Sequence, residues 1–461
     1  MNAVQSGHTV AIETLGCRLN QYESEAIATE LRERGYRVVG AAREADVYVI
    51  NSCTVTAKAD RKTRNLINRA LRDRTSGAGI VVAGCYVDGH PGDTPTAEDT
   101  YYVTNARKHA IPDIVDAHIR GELVDPESLS ANVFGFVPPG RVFRTRTTIK
   151  VQDGCDNFCT FCIVPHVRGR ARSRDPREIL REAESAIADG ARELVLTGVN
   201  MSRYTWSMDS ESDRPGDSRR ETLDFPWVVQ SILALDGDFR LRISSLEPDR
   251  LDDRFVELFR HPKMTPHLHL CLQSASPRIL LAMRRMYTLA EYRETLAALR
   301  AIDPLFNVTS DMIVGFPGET DQEQDAAIAA IEEFRFGHVH TFPYSRRRGT
   351  RADRMSHQID EKTKKRRAQA IRVAAEEAKR RYRERLLGSR QRVLVERTED
   401  RDGDLWIEGL GEYYVPIRAR VPAGSDPRPN TFVNVRIHGI ESGEDPPLLG
   451  ACDPVDAPPG E

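Results

Sequence analysis

Cys155, Cys159 and Cys162 stand in the run Gly154-Cys-Asp-Asn-Phe-Cys-Thr-Phe-Cys162, and this Cys-x3-Cys-x2-Cys spacing in one loop carries the clearest chemistry of the chain. Three thiolates held so close can ligate three irons of a [4Fe–4S] cluster and leave the fourth iron open to a small chelating molecule. An open iron suits catalysis better than electron storage. Structural zinc asks for four closed ligands, commonly in two pairs. No second Cys pair lies near this loop, although His166 offers a fourth ligand. Zinc and plain buried thiols are the competing readings.

Three more cysteines share one topological slot. Residues 9–15 read as a strand, followed by Cys17 and an amphipathic helix over about 21–34. Residues 46–51 read as a second strand, followed by Cys53 and a basic helix over about 58–72, and residues 79–84 as a third strand with Cys85 directly after it. The carboxyl ends of strands in an open parallel βαβ sheet share one edge, where such folds build their sites. Cys17, Cys53 and Cys85 are therefore predicted to converge on a second cluster. Free cysteines are among the most buried residues, and a single Cys after a strand would be read as core; three in the same slot are not. Cys271 and Cys452 have no such context and read as structural.

The elements that position the first triplet follow it. Strands are predicted over 147–152, 193–197, 239–245, 267–273, 307–314 and 337–343, with helices between them, for example over 176–189 and 290–301. Six β/α units without a full eight suggest an open partial barrel, with its site at the carboxyl ends of the strands. The candidates there are Thr197, Gly198 and Asn200, then Arg242, Ser244 and Glu247, then Gln273, and Gly315 in the turn over 311–320.

Length and charge bound the rest. A chain of 461 residues calls for two to four domains. No apolar run approaches the roughly 18 residues of a membrane helix. The first residues show no signal peptide, and eight cysteines in this length suit a reducing cytoplasm rather than a disulfide scaffold. The net charge of −3 makes any attraction to nucleic acid local. Over residues 361–392, thirteen Lys and Arg stand against four Glu, and four short strands over 392–437 follow as a small β-barrel. A charge run is usually a solvated helix face; beside a small β-barrel the nucleic-acid reading gains weight, with Arg366, Arg367 and Arg380 of the run and Arg168 and Arg170 past the first triplet as candidate contacts. The polar stretches 88–100 and 208–221 and the tail after residue 451 read as loosely specified loops.

With both triplets in view, the chain resembles the radical S-adenosylmethionine (SAM) methylthiotransferases. The resemblance rests on Thr14-Leu-Gly-Cys-Arg-Leu-Asn-Gln-Tyr-Glu-Ser-Glu25, Asn51-Ser-Cys-Thr-Val-Thr56 and Phe161-Cys-Ile-Val-Pro-His-Val-Arg-Gly-Arg170, and it runs from about residue 8 to 451. It implies an α/β chain with an N-terminal open parallel domain over 8–130, a partial (β/α)6 radical SAM core over 141–375 and a TRAM-like RNA-binding β-barrel over 386–451. It implies two [4Fe–4S] clusters and SAM as cofactors. The open iron at Cys155, Cys159 and Cys162 would take the amino and carboxylate groups of SAM, Phe161 would lie near its adenine, and Thr197, Gly198, Asn200, Ser244, Glu247, Gln273 and Gly315 would line the rest. One SAM would methylate a sulfur held at Cys17, Cys53 and Cys85; a second would yield the radical that opens C2 of an adenine.

The implied partners are a tRNA anticodon loop, a flavodoxin- or ferredoxin-type electron donor and a sulfur donor, in the cytoplasm and without a membrane. Residues 20–25, 53–62 and 283–288 look most like the branch acting on N6-threonylcarbamoyladenosine. Asn200 is closer to the isopentenyladenosine branch, and Ser345-Arg346 stands where a proline is commoner. Isopentenyladenosine or a ribosomal-protein aspartate is the alternative substrate, and an iron–sulfur or zinc RNA-binding protein the alternative outside enzymes.

Overall fold

The computed structural model describes residues 7–40, 44–93, 95, 97–140, 145–207, 222–443 and 445–453. The loop expected over 208–221 and the end of the tail lie outside the described residues. The chain is mixed α/β, built as a parallel sheet, a partial barrel and a closed β-barrel.

The first sheet is parallel throughout, in the order Arg37–Val39, Thr9–Thr14, Val47–Ser52, Gly79–Gly84, Thr100–Val103. Every residue of its strands Val47–Ser52 and Gly79–Gly84 is buried. Central parallel strands covered on both faces are expected to read as such continuous runs. Helices Arg18–Glu33 and Ala57–Asp73 return the chain between strands. The second is capped by the Thr56 side chain, which accepts from the Ala59 amide.

Six parallel strands form the partial barrel. Arg240–Ile243, Glu193–Thr197 and Arg146–Lys150 make one half, and His267–His269, Asn307–Val314 and His338–Pro343 the other. Bridges at Leu241–Met264 and Leu246–Leu270 join the halves. The wall stays open between the first strand and the last, and the N-terminal domain spans that gap. On one side its Glu23 pairs with Lys150 at 3.0 Å. On the other, Arg347 donates to Thr54 Oγ1 at 2.9 Å and to Asp60 at 2.7 Å, while Ser345 Oγ accepts from the Ala57 amide at 3.0 Å.

Helix Glu361–Arg385 packs on the last barrel strand and on helix Asp321–Glu333, then leads into a closed five-stranded barrel. The 413–414 corner of that barrel closes the amino-terminal mouth of the catalytic one. Asn307 Nδ2 donates to the Tyr413 carbonyl at 2.7 Å, and the Tyr414 hydroxyl accepts from Arg18 at 2.6 Å and Arg146 at 3.2 Å. The fifth strand, Leu448–Cys452, and the sheet-edge strands Arg37–Val39 and Thr100–Val103 were not expected from sequence. All three are short, and none has an alternating run long enough to separate it from loop.

Candidate functional site

The loop of the first triplet is folded against its own exit strand. Gly154 has φ +72, and a Cβ there would stand 1.9 Å from the Arg170 carbonyl oxygen, so only glycine fits. The Cys155 amide donates to the Gly169 carbonyl at 3.1 Å and the Cys162 amide to the Cys159 carbonyl at 2.9 Å. Phe158, between the first two cysteines, is itself left-handed at φ 47. The three sulfurs are half-buried and face polar donors from the barrel. The Asn157 amide and Asn200 Nδ2 donate to Cys155 Sγ at 3.4 and 3.6 Å, and Arg285 Nη1 donates to Cys159 Sγ at 3.3 Å. Burial pushes the Cys162 thiol up to about 12, with the neighbouring sulfurs adding to the rise. His166 is exposed, its ring edge-on to Phe158 at 6.0 Å.

Of the strand-end candidates, Asn200 reaches Cys155 directly and Glu247 reaches Cys159 through Arg285. Ser244 donates to Thr197 Oγ1 at 3.3 Å, and Gln152 Oε1 accepts from the Val199 and Asn200 amides beside Gly198 at 3.0 and 2.8 Å. Glu247 is paired with Arg285. Gln273 sits at φ 65, bridged to Met312. Phe161 packs on the apolar group of Ile279, Met283, Phe316, Tyr344 and Ala352. Gly315 stands apart: its amide donates to Glu319 at 2.7 Å.

Arg285 was not among the residues expected from sequence. The second Arg of Met283-Arg-Arg-Met-Tyr-Thr288 carries no signal until folding buries it between a thiol and a carboxylate. Breaking a buried pair costs about 3–5 kcal/mol. Arg285→Leu is expected to slow reductive cleavage of SAM by at least about a hundredfold, the equivalent of about 3 kcal/mol; near-normal 5′-deoxyadenosine formation would remove Arg285 from the site.

The cysteines of the second triplet follow three adjacent parallel strands and share one edge of the first sheet. A Cβ at Gly16 (φ +99) would lie 2.8 Å from Cys53 Cβ, so the turn carrying Cys17 closes directly on Cys53. Cys53 and Cys85 are buried and Cys17 is exposed. Burial pushes the Cys53 thiol up to about 11, and the nearby Cys85 and Cys17 sulfurs reinforce the rise. Asn105 Nδ2 lies 3.5 Å from Cys85 Sγ and 2.9 Å from the Val167 carbonyl. Cys85 also packs on Ile163 and Val167, the residues just past Cys162. The second triplet therefore touches the chain that leaves the first, where the N-terminal domain packs on the barrel.

Each donor set is three thiols, the number that a cluster with one open iron takes and one fewer than structural zinc asks for. One zinc with bonds near 2.3 Å draws its sulfurs to within about 4 Å of each other. Among the described residues, His269, Cys271 and Asp311 are the trio whose ligand atoms lie within 4.8 Å, and neither cysteine triplet is drawn so tight. Cys271 sits in the barrel wall with its thiol held up by burial, and Cys452 lies in the core of the small barrel.

The RNA-contact expectations divide. Arg170 and Arg366 are exposed, and so is Arg380, which pairs with Glu377 and Glu384 on its own helix. Arg168 and Arg367 are corrections. Arg168 is buried against Glu23 and Asp153 at 3.0 Å each, and Arg367 against Glu319 at 2.7 Å. Their guanidiniums are consumed inside the protein and cannot reach a phosphate. Lys364, Lys379 and Arg383 likewise turn inward, so about a third of the charge run serves packing.

Comparison with known proteins follows the same division. Residues 9–102 match the family described as "Uncharacterized protein family UPF0004", and residues 149–330 match the radical SAM superfamily. The threonylcarbamoyladenosine tRNA methylthiotransferase MtaB of Thermotoga maritima is 36% identical over 416 residues, 88% of this chain and 90% of that protein. The tRNA-2-methylthio-N(6)-dimethylallyladenosine synthase of Geobacter sulfurreducens is 34% identical over 409 residues, 86% of this chain and 88% of that protein. Among solved structures, the radical SAM methyltransferase TsrM of Kitasatospora setae, bound to tryptophan and a SAM analogue, superposes with a TM-score of 0.50 over 73% of each chain. At 15% identity that likeness speaks for the fold alone.

Proposed function

This chain belongs to the radical SAM methylthiotransferases, and on that premise we propose that it adds a methylthio group to C2 of N6-threonylcarbamoyladenosine beside the anticodon of tRNA. The observation that carries the proposal is the contact of the second triplet with the chain leaving the first, Cys85 packed on Ile163 and Val167. Cys155, Cys159 and Cys162 would hold the [4Fe–4S] cluster that binds SAM, and Cys17, Cys53 and Cys85 a second one. When bound, these groups supply radical chemistry at the adenine and a methylated sulfur to transfer.

The protein's own task is positioning. Arg285 and Asn200 donate toward Cys159 and Cys155, favouring the thiolates that metal binding requires. Arg285 also ties Glu247 to the wall, and the ring of Tyr287 covers its guanidinium at 5.0 Å. The N-terminal domain closes the side of the barrel through Arg347 and Lys150, and Tyr414 closes its far mouth, so the base enters at the strands' carboxyl ends. A base reaches such a pocket only when unstacked, which an anticodon loop allows. Exposed Arg170, Arg366 and Arg380 together with the small barrel form the tRNA face, and binding there weakens as salt rises. A flavodoxin- or ferredoxin-type reductant and a separate sulfur donor, in the cytoplasm, complete the reading. No helix among the described residues is long and apolar enough to cross a membrane.

The test offers the reconstituted protein tRNA bearing N6-threonylcarbamoyladenosine or isopentenyladenosine, and the methylthiolated nucleosides are counted by mass spectrometry. A preference of at least about tenfold for the first, roughly 1.4 kcal/mol, is expected. Equal or reversed preference would overturn the assignment to the threonylcarbamoyladenosine branch; product on neither, with a methylthiolated aspartate on a ribosomal protein offered in a parallel reaction, would remove tRNA as substrate.

A further inference from the structure

Between the two triplets lies a group of five charged side chains, all essentially without solvent contact. Glu23 accepts from Lys108 at 2.7 Å, from Lys150 at 3.0 Å and from Arg168 at 3.0 Å. Asp153 accepts from Lys150 at 2.7 Å and Arg168 at 3.0 Å. Three cations thus share two carboxylates. Burial would push Glu23 up, but Arg168, Lys108 and Lys150 outweigh it and hold that carboxylate well below its ordinary range. A further carboxylate, Asp88, interacts with Lys108 and Arg168 and accepts from the Asn105 amide at 2.9 Å, and burial pushes it up to about 6.

Both ends of this network grip a cysteine turn. Arg168 Nη2 donates to Asn20 Oδ1 at 2.6 Å, and Asn20 Nδ2 donates to the carbonyls of Leu15 and Ser52 at 2.7 and 2.9 Å. Those carbonyls lie just ahead of Cys17 and Cys53. At the other end Asp153 Oδ1 accepts from the Gly154 amide at 2.7 Å, next to Cys155. The Arg168 charge also lies close enough to Cys85 and Cys17 to interact with both sulfurs. A buried excess cation is costly without an anion nearby, and the side it faces is the one lined by Cys17, Cys53 and Cys85.

We propose that Arg168, with Lys108 and Glu23, is a positioning device that fixes the spacing of the two triplets and sets the reduction potential of the group held by Cys17, Cys53 and Cys85. The proposal rests on the two-cluster reading above. A positive charge in a low-dielectric interior favours the more negative, reduced state of that group, and a carboxylate opposes it. The network therefore acts on the potential with two signs, which a role in packing alone does not.

The experiment uses the full chain carrying Cys155→Ala, Cys159→Ala and Cys162→Ala, so that a single group titrates, with its midpoint potential followed by electron paramagnetic resonance. Arg168→Met and Lys108→Met are each expected to lower the midpoint by at least a tenfold change in the one-electron equilibrium, about 59 mV. Glu23→Gln is expected to raise it, and Arg168→Lys to leave it within a few-fold of the parent. Should either cation variant fail to fold by circular dichroism, the other keeps the sign contrast with Glu23→Gln; should Glu23→Gln fail, Asp153→Asn, which removes the network's second carboxylate, takes its place and is likewise expected to raise the midpoint. Shifts of one sign in all variants, or none, overturn the proposal while leaving the two-cluster reading intact. A parent that holds no iron overturns both.

Discussion

Replacing Cys17, Cys53 and Cys85 together by Ala is expected to halve the iron of the anaerobically reconstituted protein, from about eight to about four per chain. It should also abolish methylthio transfer while sparing SAM cleavage. The separation is expected because each triplet has its own support. Cys155 and Cys159 receive Asn200 and Arg285 from the barrel, none of which depends on the N-terminal thiols. The second triplet is carried by three parallel strand ends and closed by Gly16 on Cys53. Cys271→Ala and Cys452→Ala, in the barrel wall and the small-barrel core, serve as controls and should retain about eight irons. About four irons in both parent and triple variant would return Cys17, Cys53 and Cys85 to the status of core residues. The protein would then remain a radical SAM enzyme without a sulfur site.

Local spacing made the two triplets legible in the sequence, because each cysteine follows an element whose own pattern is strong. The six barrel strands were legible for the same reason: Glu193–Thr197 and Asn307–Val314 fall where the sequence pattern places them. What could not be read was pairing between distant charges. The alternating Arg168, Arg170, Arg172 and Arg174 look alike along the chain, yet Arg170 is exposed while Arg168 and Arg174 are buried against carboxylates from other elements. Glu23 and Glu182 are ordinary helix residues in sequence and become the buried partners of those arginines only through the fold. Arg285 was hidden for the same reason. The seat of the small barrel was equally silent, since nothing in Gly411-Glu-Tyr-Tyr414 says that a tyrosine hydroxyl will meet two arginines across a domain boundary.

That seat bears the second large expected effect. Glu193, at the start of the second barrel strand, is fully buried and accepts from Arg240 Nε at 2.5 Å and Arg242 Nε at 2.9 Å. Arg240 spends its remaining donors on the Arg392 and Leu410 carbonyls of the small barrel, both at 3.0 Å, and Arg242 lies 4.5 Å from the centre of the Tyr414 ring. One carboxylate is therefore the shared ion-pair partner of the two cations that fasten the C-terminal barrel to the catalytic one. Glu193→Gln keeps the shape and removes the charge, leaving two buried guanidiniums without their ion-pair partner, at a cost of about 3–5 kcal/mol. Denaturant unfolding at pH 7 should register that loss, and limited proteolysis should cut earlier at the junction after helix Glu361–Arg385. Burial pushes Glu193 up, but Arg240 and Arg242 outweigh it and hold the carboxyl well below its ordinary 4.5. A group held down in the folded state contributes its stability above the ordinary value and loses it as pH falls toward the folded one. The gap between parent and Glu193→Gln should therefore be widest near neutrality and narrow below about pH 4.5. A gap under about 1 kcal/mol at pH 7, or one that does not change with pH, would mean that the small barrel is held by its tyrosines and backbone contacts, and that the two arginines are balanced by carbonyls alone.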